Sequence, residues 1–277
     1  MRTGSLSRPI QVSTRNAAFQ QWQSLLTNRT KRLRAGEFLV HGVRPISIAV
    51  QQGWTIRALL HDGRPRLSSW AEDLWSSVPA NHVVLAPELM QELGEKPEGA
   101  PELIAVVEMR SDDLSRIPAV PNPLITVFDR PSNPGNIGTL TRSVDAFGGT
   151  ALLITGHAAD PFDPKSIRAS TGSIFGPPVL RIPSHQQIFD WIDAERARGV
   201  SALVIGTDET ARTDLRDADL TQPLVIVVGN ETTGMTAAWR ERCDLLLSIP
   251  MGGTASSLNA ATAGAIVLYE TMRQRAS

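Results

Sequence analysis

The stretch LLLSIPMGGTASSLNAATAGAIVLYE, residues 245–270, decides how the C-terminal part of the chain folds. It opens as a short apolar strand and is interrupted by proline and glycines at 250–253. It then continues as a predicted helix whose bulky side chains are only at Leu258 and 266–269. Such small side chains allow close backbone packing, and a glycine-rich turn before a helix leaves N–H groups free for a ligand. A buried strand–helix connection is the alternative for this stretch taken alone.

A second stretch, residues 128–149 (FDRPSNPGNIGTLTRSVDAFGG), has a loop of proline, glycine and asparagine between a buried strand and a predicted helix. The helix is expected to open near Asn136. Asn136 and Arg142 are six residues apart, so they do not share one face of a regular helix. An Asn136 at the N-cap would nevertheless point into a cleft that Arg142 also borders. A capping asparagine with a solvated arginine is the alternative interpretation.

A third stretch, residues 224–235 (LVIVVGNETTGM), runs a buried strand of apolar residues directly into a loop. Open α/β sheets bind ligands outside the carboxyl ends of their strands, where this loop lies. No Gly-Lys-Ser/Thr follows, so the loop is not a P-loop, and it does not fit the G-x-G-x-x-G dinucleotide fingerprint. A tight turn explains the glycines, but Glu231 at the end of the strand indicates binding or catalysis.

Continuous apolar runs of strand length alternate with helical patterns after residue 123, which predicts an α/β domain with parallel strands buried on both faces. The runs are 124–128, 151–154, 202–205, 224–228 and 245–249. Before them, shorter strands and helices predict a separate compact α/β unit, and the proline-containing segment 110–123 is interpreted as the linker. We therefore predict two domains, residues 1–115 and 116–277.

Composition restricts the class of protein. Hydrophobic residues make up 42% and charged residues 20% of the chain, as in soluble globular proteins. No apolar run approaches the ~20 residues that cross a membrane, and no apolar core of a secretory signal follows the N-terminus. The single cysteine, Cys243, excludes a disulfide framework and a cysteine metal cluster, and the five histidines show no ligand spacing. We expect a cytoplasmic protein without a metal.

The net charge of −1 conceals an asymmetry along the chain. Residues 1–60 contain nine Lys or Arg and one acidic residue, Glu37, whereas the remainder has 18 basic and 27 acidic residues. A basic end on an acidic chain indicates a polyanionic partner, with a solvated N-terminal arm as the alternative. Two local patterns add detail. Residues 29–34 are interpreted as a basic run before a strand, and residues 184–187 fit a capping box on a helix that Gly199 ends.

The three stretches, in this order and spacing, resemble the three motifs of the SpoU-type (TrmH-like) branch of the SPOUT family of RNA methyltransferases. The resemblance covers roughly residues 120–275. Residues 36–50 (GEFLVHGVRPISIAV) resemble, less specifically, the substrate-binding domain of that family, which is related to ribosomal protein L30e. The matching motif residues are Asn136-Ile137-Gly138 with Arg142, Gly229-Asn230-Glu231 with Gly234-Met235, and Ser248-Ile249-Pro250-Met251 with Ser257-Leu258-Asn259.

The resemblance implies a fold, a cofactor and partners. Domain 116–277 is expected to be a SPOUT parallel-sheet domain with a deep trefoil knot, and domain 1–115 an L30e-like domain that binds the RNA substrate. The implied reaction transfers a methyl group from S-adenosyl-L-methionine to a ribose 2′-hydroxyl of RNA, in a homodimer whose sites are completed at the interface. The residues assigned to the cofactor are Gly229, Ile249 and Leu258, with Thr207, Asn230 and Met251 as weaker candidates.

The resemblance gives Arg142 the central catalytic role. An arginine keeps its proton up to a pKa above ~12, so we prefer a fixed guanidinium that binds RNA phosphate and stabilises the developing oxyanion to a general base. Asn136 would orient Arg142 or the ribose, and Glu231 would anchor the second loop or the arginine. Ser257 and Asn259 would complete the pocket.

The separate N-terminal domain favours ribosomal RNA, and 23S rRNA first, because minimal tRNA enzymes of the family often lack such a domain. A tRNA methyltransferase stays open as an alternative. So does a catalytically silent RNA-binding homologue, although the presence of all five catalytic motif residues argues against it. The layout and the excess of arginine over lysine also resemble the methyltransferases that confer antibiotic resistance on producers with GC-rich genomes.

Overall fold

The computed structural model describes residues 8–94 and 99–276, and it divides into two compact units. The first unit comprises the described residues up to Arg110 together with Phe162–Pro164, and the second comprises Ser111–Pro161 and the chain from Lys165 onward. The return of Phe162–Pro164 to the first unit was not part of the predicted division at residue 115. It is anchored by aromatic packing, since the ring of Phe162 lies 4.7 Å from that of Phe38.

The first unit is a mixed sheet with helices. Its strands are β1 (Ile10–Val12), β2 (Glu37–His41), β3 (Ile56–His61), β4 (Asn81–Leu85) and β5 (Ile104–Glu108). Its helices are α1 (Ala17–Thr27), α2 (Arg29–Ala35), α3 (Val43–Gln51), α4 (Ser69–Ser77) and α5 (Pro87–Gly94). The strand order is β1-β4-β3-β5-β2, and β5 runs antiparallel to both of its neighbours. The expected compact α/β unit is therefore present.

The basic run at residues 29–34 precedes strand β2, as interpreted, and it forms helix α2. Asn28 caps this helix, because its side chain accepts a hydrogen bond from the Lys31 N–H at 3.0 Å. Arg32 is only 2% exposed and donates to the carbonyls of Leu25 and Leu26 at 2.8 and 3.3 Å. These carbonyls lie at the C-terminus of α1, so one cation of the basic run is structural.

The second unit contains a seven-stranded sheet whose strands are all parallel, as predicted for its five apolar runs. Its strands are β6 (Leu124–Asp129), β7 (Ala151–Thr155), β8 (Val179–Ile182), β9 (Leu203–Thr207), β10 (Thr213–Asp214), β11 (Leu224–Val228) and β12 (Leu245–Ser248). Its helices are α6 (Pro134–Ala146), α7 (Pro164–Ser170), α8 (His185–Ala197), α9 (Ala237–Arg242) and α10 (Ala260–Arg275). The order is β10-β12-β9-β11-β6-β7-β8, and every pairing is parallel.

The strand order positions the candidate site. β11 lies between β6 and β9 although it follows both in sequence, so the carboxyl ends of β6, β11, β9 and β12 meet at one edge of the sheet. After β12 the chain returns across the sheet, and α10 packs against α6 and β11. The sequence analysis placed Leu258 in the last helix. In the structure α10 begins at Ala260, so Leu258 precedes the helix. The trefoil knot stays a prediction of the resemblance.

Two local interpretations need correction. The predicted linker is held to the second unit, because the Asp112 carboxylate accepts hydrogen bonds from the N–H and Nε of Arg181 in β8, at 2.9 and 2.7 Å. Ser184 lies at the N-cap of α8 but makes no side-chain capping bond, whereas Gly199 follows the helix with a φ of 95°, as predicted.

In the described part of the chain, no helix is both long and apolar enough to cross a membrane.

Candidate active site

Glu231 connects the second loop of the site to the first. Its carboxylate accepts hydrogen bonds from the Ser132 N–H at 3.0 Å and from the Ser132 hydroxyl at 2.9 Å. The Asn133 N–H and the Asn136 side-chain amide also donate to it, at 3.3 and 2.9 Å. The loop after β11 is therefore fastened to residues 132–136 by a single carboxylate, which accepts four hydrogen bonds from them.

These donors set the ionisation of Glu231. Burial alone would raise the pKa of its carboxyl, because a buried charge is poorly solvated. The hydrogen bonds from Ser132 and Asn136 stabilise the ionised form and outweigh the burial, so the pKa lies below its ordinary value of 4.5. The residue is thus a carboxylate near neutral pH, and it acts as an acceptor at the junction of the loops.

Asn136 extends this junction to the third motif. The N-cap of α6 is Asn133, whose side chain accepts from the Gly135 N–H at 2.8 Å, so the suggested N-cap position of Asn136 is wrong. The Asn136 amide instead donates to Glu231, and its oxygen accepts from the Asn259 side chain at 3.1 Å. Asn259 in turn caps α10 by accepting from the backbone N–H groups of residues 261 and 262. One residue from each motif contributes to a single hydrogen-bonded chain.

A cavity of about 360 Å³ lies beside this chain of hydrogen bonds, at the carboxyl ends of the strands. It is lined by every residue that the sequence assigned to the cofactor, and by two of those assigned to catalysis. The cofactor candidates are Thr207, Gly229, Asn230, Ile249, Met251 and Leu258, and the two catalytic candidates are Glu231 and Ser257. The structure thus brings these residues together around one space.

The sequence interpretation missed an ion pair in the cavity wall. Asp208, directly after β9, and Arg240 of α9 both line the cavity and form a salt bridge with each other. The Asp208 carboxylate also accepts from the Thr210 N–H at 2.8 Å. Its position immediately after a buried strand, where the ligand loops of such sheets lie, was the available signal.

Arg142 lies apart from the Asn136 junction. Its side chain is exposed, it does not line the cavity, and it makes no hydrogen bond or ion pair with the residues that the structure describes. Six residues of α-helix place it roughly 120° around α6 from Asn136. Glu231 anchors the loop and makes no bond to this arginine. Within one chain, the structure does not bring Arg142 to the other catalytic candidates.

Comparison with known proteins relates this site to a family. Residues 123–269 match the SpoU rRNA Methylase family, and residues 16–105 match the SpoU L30e-like domain. The chain belongs to the SpoU rRNA methylase family. Its relatives include the 23S rRNA (uridine(2479)-2′-O)-methyltransferase of Streptomyces viridochromogenes, which is 54% identical over 96% of this chain and 93% of the relative.

Two further comparisons cover almost the whole chain. The 23S rRNA (guanosine(2553)-2′-O)-methyltransferase RlmP of Bacillus subtilis is 29% identical over 93% of this chain and 96% of its own. Among solved structures, the SpoU methyltransferase AviRb from Streptomyces viridochromogenes in complex with the cofactor AdoMet is similar with a TM-score of 0.91. It has 55% sequence identity over 95% of this chain and 99% of that one.

Proposed function

We propose that this chain is an S-adenosylmethionine-dependent methyltransferase that methylates a ribose 2′-hydroxyl of RNA, with 23S rRNA as the substrate. The observation that carries the proposal is the hydrogen-bonded chain of Glu231, Asn136 and Asn259 beside a cavity lined by the cofactor candidates. The named activities of the SpoU relatives support the same reaction. A ribosomal RNA substrate also implies the cytoplasm as the location.

The residues around the cavity suit S-adenosylmethionine. The volume of about 360 Å³ falls within the range of roughly 300–1,000 Å³ that cofactor and ligand sites occupy. Met251 and Leu258 are 39% and 36% exposed, which leaves apolar surface for an adenine ring to cover. Gly229 lines the same cavity, and backbone contacts from it are proposed to hold the rest of the molecule. When bound, the cofactor supplies an already activated sulfonium methyl group.

Arg142 is exposed, and we propose that it acts as the cation that the reaction requires. A ribose hydroxyl is a poor nucleophile, so a cation must stabilise the charge that develops on its oxygen and align it with the methyl group. Arg142 keeps its proton and therefore acts through charge, by binding the neighbouring phosphate and the developing oxyanion. Because it stands apart from Asn136 within one chain, we propose that a homodimer completes the site, with α6 and the Tyr269 face of α10 at the interface.

The basic N-terminal unit is proposed to dock the RNA. Among its cations, Arg32 is buried, and Arg15 and Arg57 pair with Glu92 and Glu108. Exposed basic side chains on α2 and α3 also lie at Lys31, Arg34 and Arg44. Phosphate binding by such side chains weakens as salt rises, because counterions released from RNA compete for them.

The proposal is tested by transfer of labelled methyl groups from S-adenosylmethionine to 23S rRNA. Arg142→Ala is expected to lower transfer by about 100-fold or more, while the dissociation constant for the cofactor stays within about twofold. In the same assay, charge reversal of Lys31, Arg34 and Arg44 to Glu is expected to raise the KM for RNA and to leave kcat unchanged. Undiminished transfer by Arg142→Ala would refute its role, and absence of transfer by the native chain would favour a silent RNA-binding homologue.

The relatives do not fix the methylated nucleotide, because one is named for a uridine and another for a guanosine. Family membership alone also leaves tRNA as an alternative substrate, and the same transfer assay with tRNA separates the two. Protection of the producer against a ribosome-directed antibiotic is the finer proposal. It is supported by the 54% identity to a Streptomyces rRNA methyltransferase. Mapping 2′-O-methyl groups on rRNA from cells with and without the gene identifies the nucleotide, and the antibiotic sensitivity of the same cells tests the protection.

A further inference from the structure

Arg130 occupies a backbone conformation that side chains disfavour. Its φ is 53°, and among the described residues only Thr171, with a φ of 50°, shares this left-handed conformation without being glycine. Arg130 directly follows β6, at the start of the first loop of the site. Non-glycine residues persist in such conformations where the surrounding contacts hold them, and these contacts often serve function.

The contacts of Arg130 reach the loop after β11 at both ends. Its guanidinium Nη2 donates to the carbonyl of Gly234 at 3.0 Å, and its own carbonyl accepts from the Asn230 side chain at 2.6 Å. Its side chain lies across Gly156, where an added Cβ would come within 2.5 Å of the Arg130 Cγ. The arginine therefore holds the first and last residues of the Asn230–Gly234 bridge from outside the cavity.

Asp129 completes the arrangement. Its side chain is 3% exposed and pairs with the Nε of Arg130 at 3.3 Å. Its carboxylate also accepts from the Thr155 hydroxyl at 3.0 Å and from the Thr236 N–H at 2.8 Å. Thr236 is the last residue of the loop and caps α9. The pair Asp129–Arg130 is thus bonded to the loop at residues 230, 234 and 236.

We infer that Asp129 and Arg130 are positioning residues that hold the 229–236 loop in the conformation that binds the cofactor. The inference rests on the proposed function, because the loop lines the cavity assigned to S-adenosylmethionine. Neither residue lines the cavity itself, so both act through the loop. The left-handed backbone of Arg130 directs its side chain and its carbonyl to the same neighbouring loop.

Arg130→Gly separates this role from a general contribution to stability. Glycine adopts a φ of 53° without strain, and this relief offsets much of the stability lost with the bond to Asp129, so the melting temperature is expected to fall by only a few degrees. Loss of the guanidinium frees Gly234, and the dissociation constant for S-adenosylmethionine, measured by calorimetry, is expected to rise about tenfold. Thr171→Gly is the matched control. It relieves the same backbone conformation in the turn after α7, and it is expected to leave affinity unchanged.

Hydrogen exchange of the chain without cofactor gives a second measurement. Amides of residues 230–236 are expected to exchange faster in Arg130→Gly than in the native chain, and Arg130→Lys, which keeps one donor, is expected to fall between them. Native affinity and native exchange in Arg130→Gly would overturn the inference. The inference would also be overturned if Thr171→Gly lost as much affinity for S-adenosylmethionine as Arg130→Gly. If the native chain binds no S-adenosylmethionine but exchange still rises in Arg130→Gly, the proposed function fails and the positioning of the loop stands.

Discussion

Two adjoining regions of the second unit are built from different interactions. The loop edge, residues 129–136, 229–236 and 249–259, is held by hydrogen bonds that polar side chains make with one another and with the backbone. Every residue from 250 to 259 is exposed. The helix layer, formed by α6, α7 and α10, is held by close packing that leaves no room for an additional methyl group. A Cβ added to Gly138 would lie 2.2 Å from the carbonyl oxygen of Ser166.

The difference between these regions separates binding from folding. α6 and α10 belong to both, since their first residues carry the polar junction and their bodies form the packed layer. A rigid layer fixes the two helix N-termini, and the loops between them are fastened by contacts that a ligand can replace. We therefore expect changes in the layer to lower the stability of the fold and changes at the edge to lower affinity.

The largest expected effect is on stability, from Gly138→Ala in α6. The new Cβ would meet backbone atoms of α7, at 2.2 Å for the Ser166 oxygen and 2.9 Å for the Ser170 nitrogen, and backbone moves only at high cost. Alanine gains about 1 kcal/mol of helix propensity, but overpacking costs about 3 kcal/mol or more here. Thermal unfolding is expected to shift down by several degrees.

The matched control is Gly252→Ala at the loop edge, where no atom lies within 4 Å of the added Cβ. Its melting temperature is expected to stay within about 1 °C of the native value, since surface substitutions usually change stability by less than ~0.5 kcal/mol. Equal destabilisation by the two variants would contradict the division into a packed layer and an adjustable edge.

The sheet of the second unit could be predicted because its signals are local. Continuous apolar runs marked the strands β6, β7, β9, β11 and β12 to within two residues. β8 was missed because it is four residues long and includes Arg181, whose partner Asp112 is 69 positions away. The N-cap of α6 was assigned to the wrong asparagine, although Pro134, typical of a first helical position, pointed to Asn133.

The site was only partly accessible from sequence. Glycine, asparagine and glutamate after buried strands marked the loops that line the cavity, since the carboxyl ends of parallel strands share one edge. Asp129 and Arg130 stood in a quoted motif without a role, because their partners Thr236 and Gly234 lie 107 and 104 positions away. The direction in which Arg142 points from α6 depends on where the helix begins. Because the N-cap was assigned to the wrong residue, the separation of Arg142 from the other candidates was not predicted.

An intermediate effect is expected at the far end of α10, where a polar contact fastens the helix layer. Arg275 donates to the carbonyls of Asn122, Pro123, Leu220 and Gln222, at distances from 2.6 to 3.4 Å. Arg275→Ala leaves partly buried carbonyls without these donors, so the free energy of unfolding is expected to fall by about 2 kcal/mol, measured in urea. The affinity for S-adenosylmethionine should remain native.

Arg273→Ala is the control for this contact on the same helix. Its guanidinium is exposed and pairs with Glu270 one turn earlier on α10. Exposed pairs of this kind contribute little to stability, because water screens the two charges. If Arg273→Ala lowered stability as much as Arg275→Ala, the last turns of α10 would stabilise the fold through charge and not through the bonds of Arg275. This end of α10 would then no longer support the contrast between layer and edge.

The smallest effect is expected from acid, and it should act on the loop edge first. The pKa of Glu231 is below 4.5 in the folded chain. As pH falls, its carboxyl is therefore protonated in the unfolded chain before it is protonated in the folded chain. The stabilisation by its hydrogen bonds is complete above about pH 4.5 and is lost as pH falls through the folded value. Protonation turns one carboxylate oxygen into a donor, so it weakens either the bonds from Ser132 to Oε2 or those from Asn133 and Asn136 to Oε1. Hydrogen exchange at residues 230–236, corrected for its intrinsic pH dependence, should therefore accelerate in acid before exchange in α10 does.

Glu231→Gln isolates this carboxyl from every other acid in the chain. Glutamine does not titrate, so the variant is expected to exchange faster at residues 230–236 at pH 6 and to lose the acid-dependent step that the native chain shows below pH 4.5. The N-terminal turns of α10 should respond weakly in both proteins, because Asn259, which caps them, does not ionise. Loop and helix losing protection together in the native chain would mean that the edge and the layer open as one unit. The polar junction would then stabilise the fold itself, and the separation of binding from folding would be wrong for the residues on which it depends most.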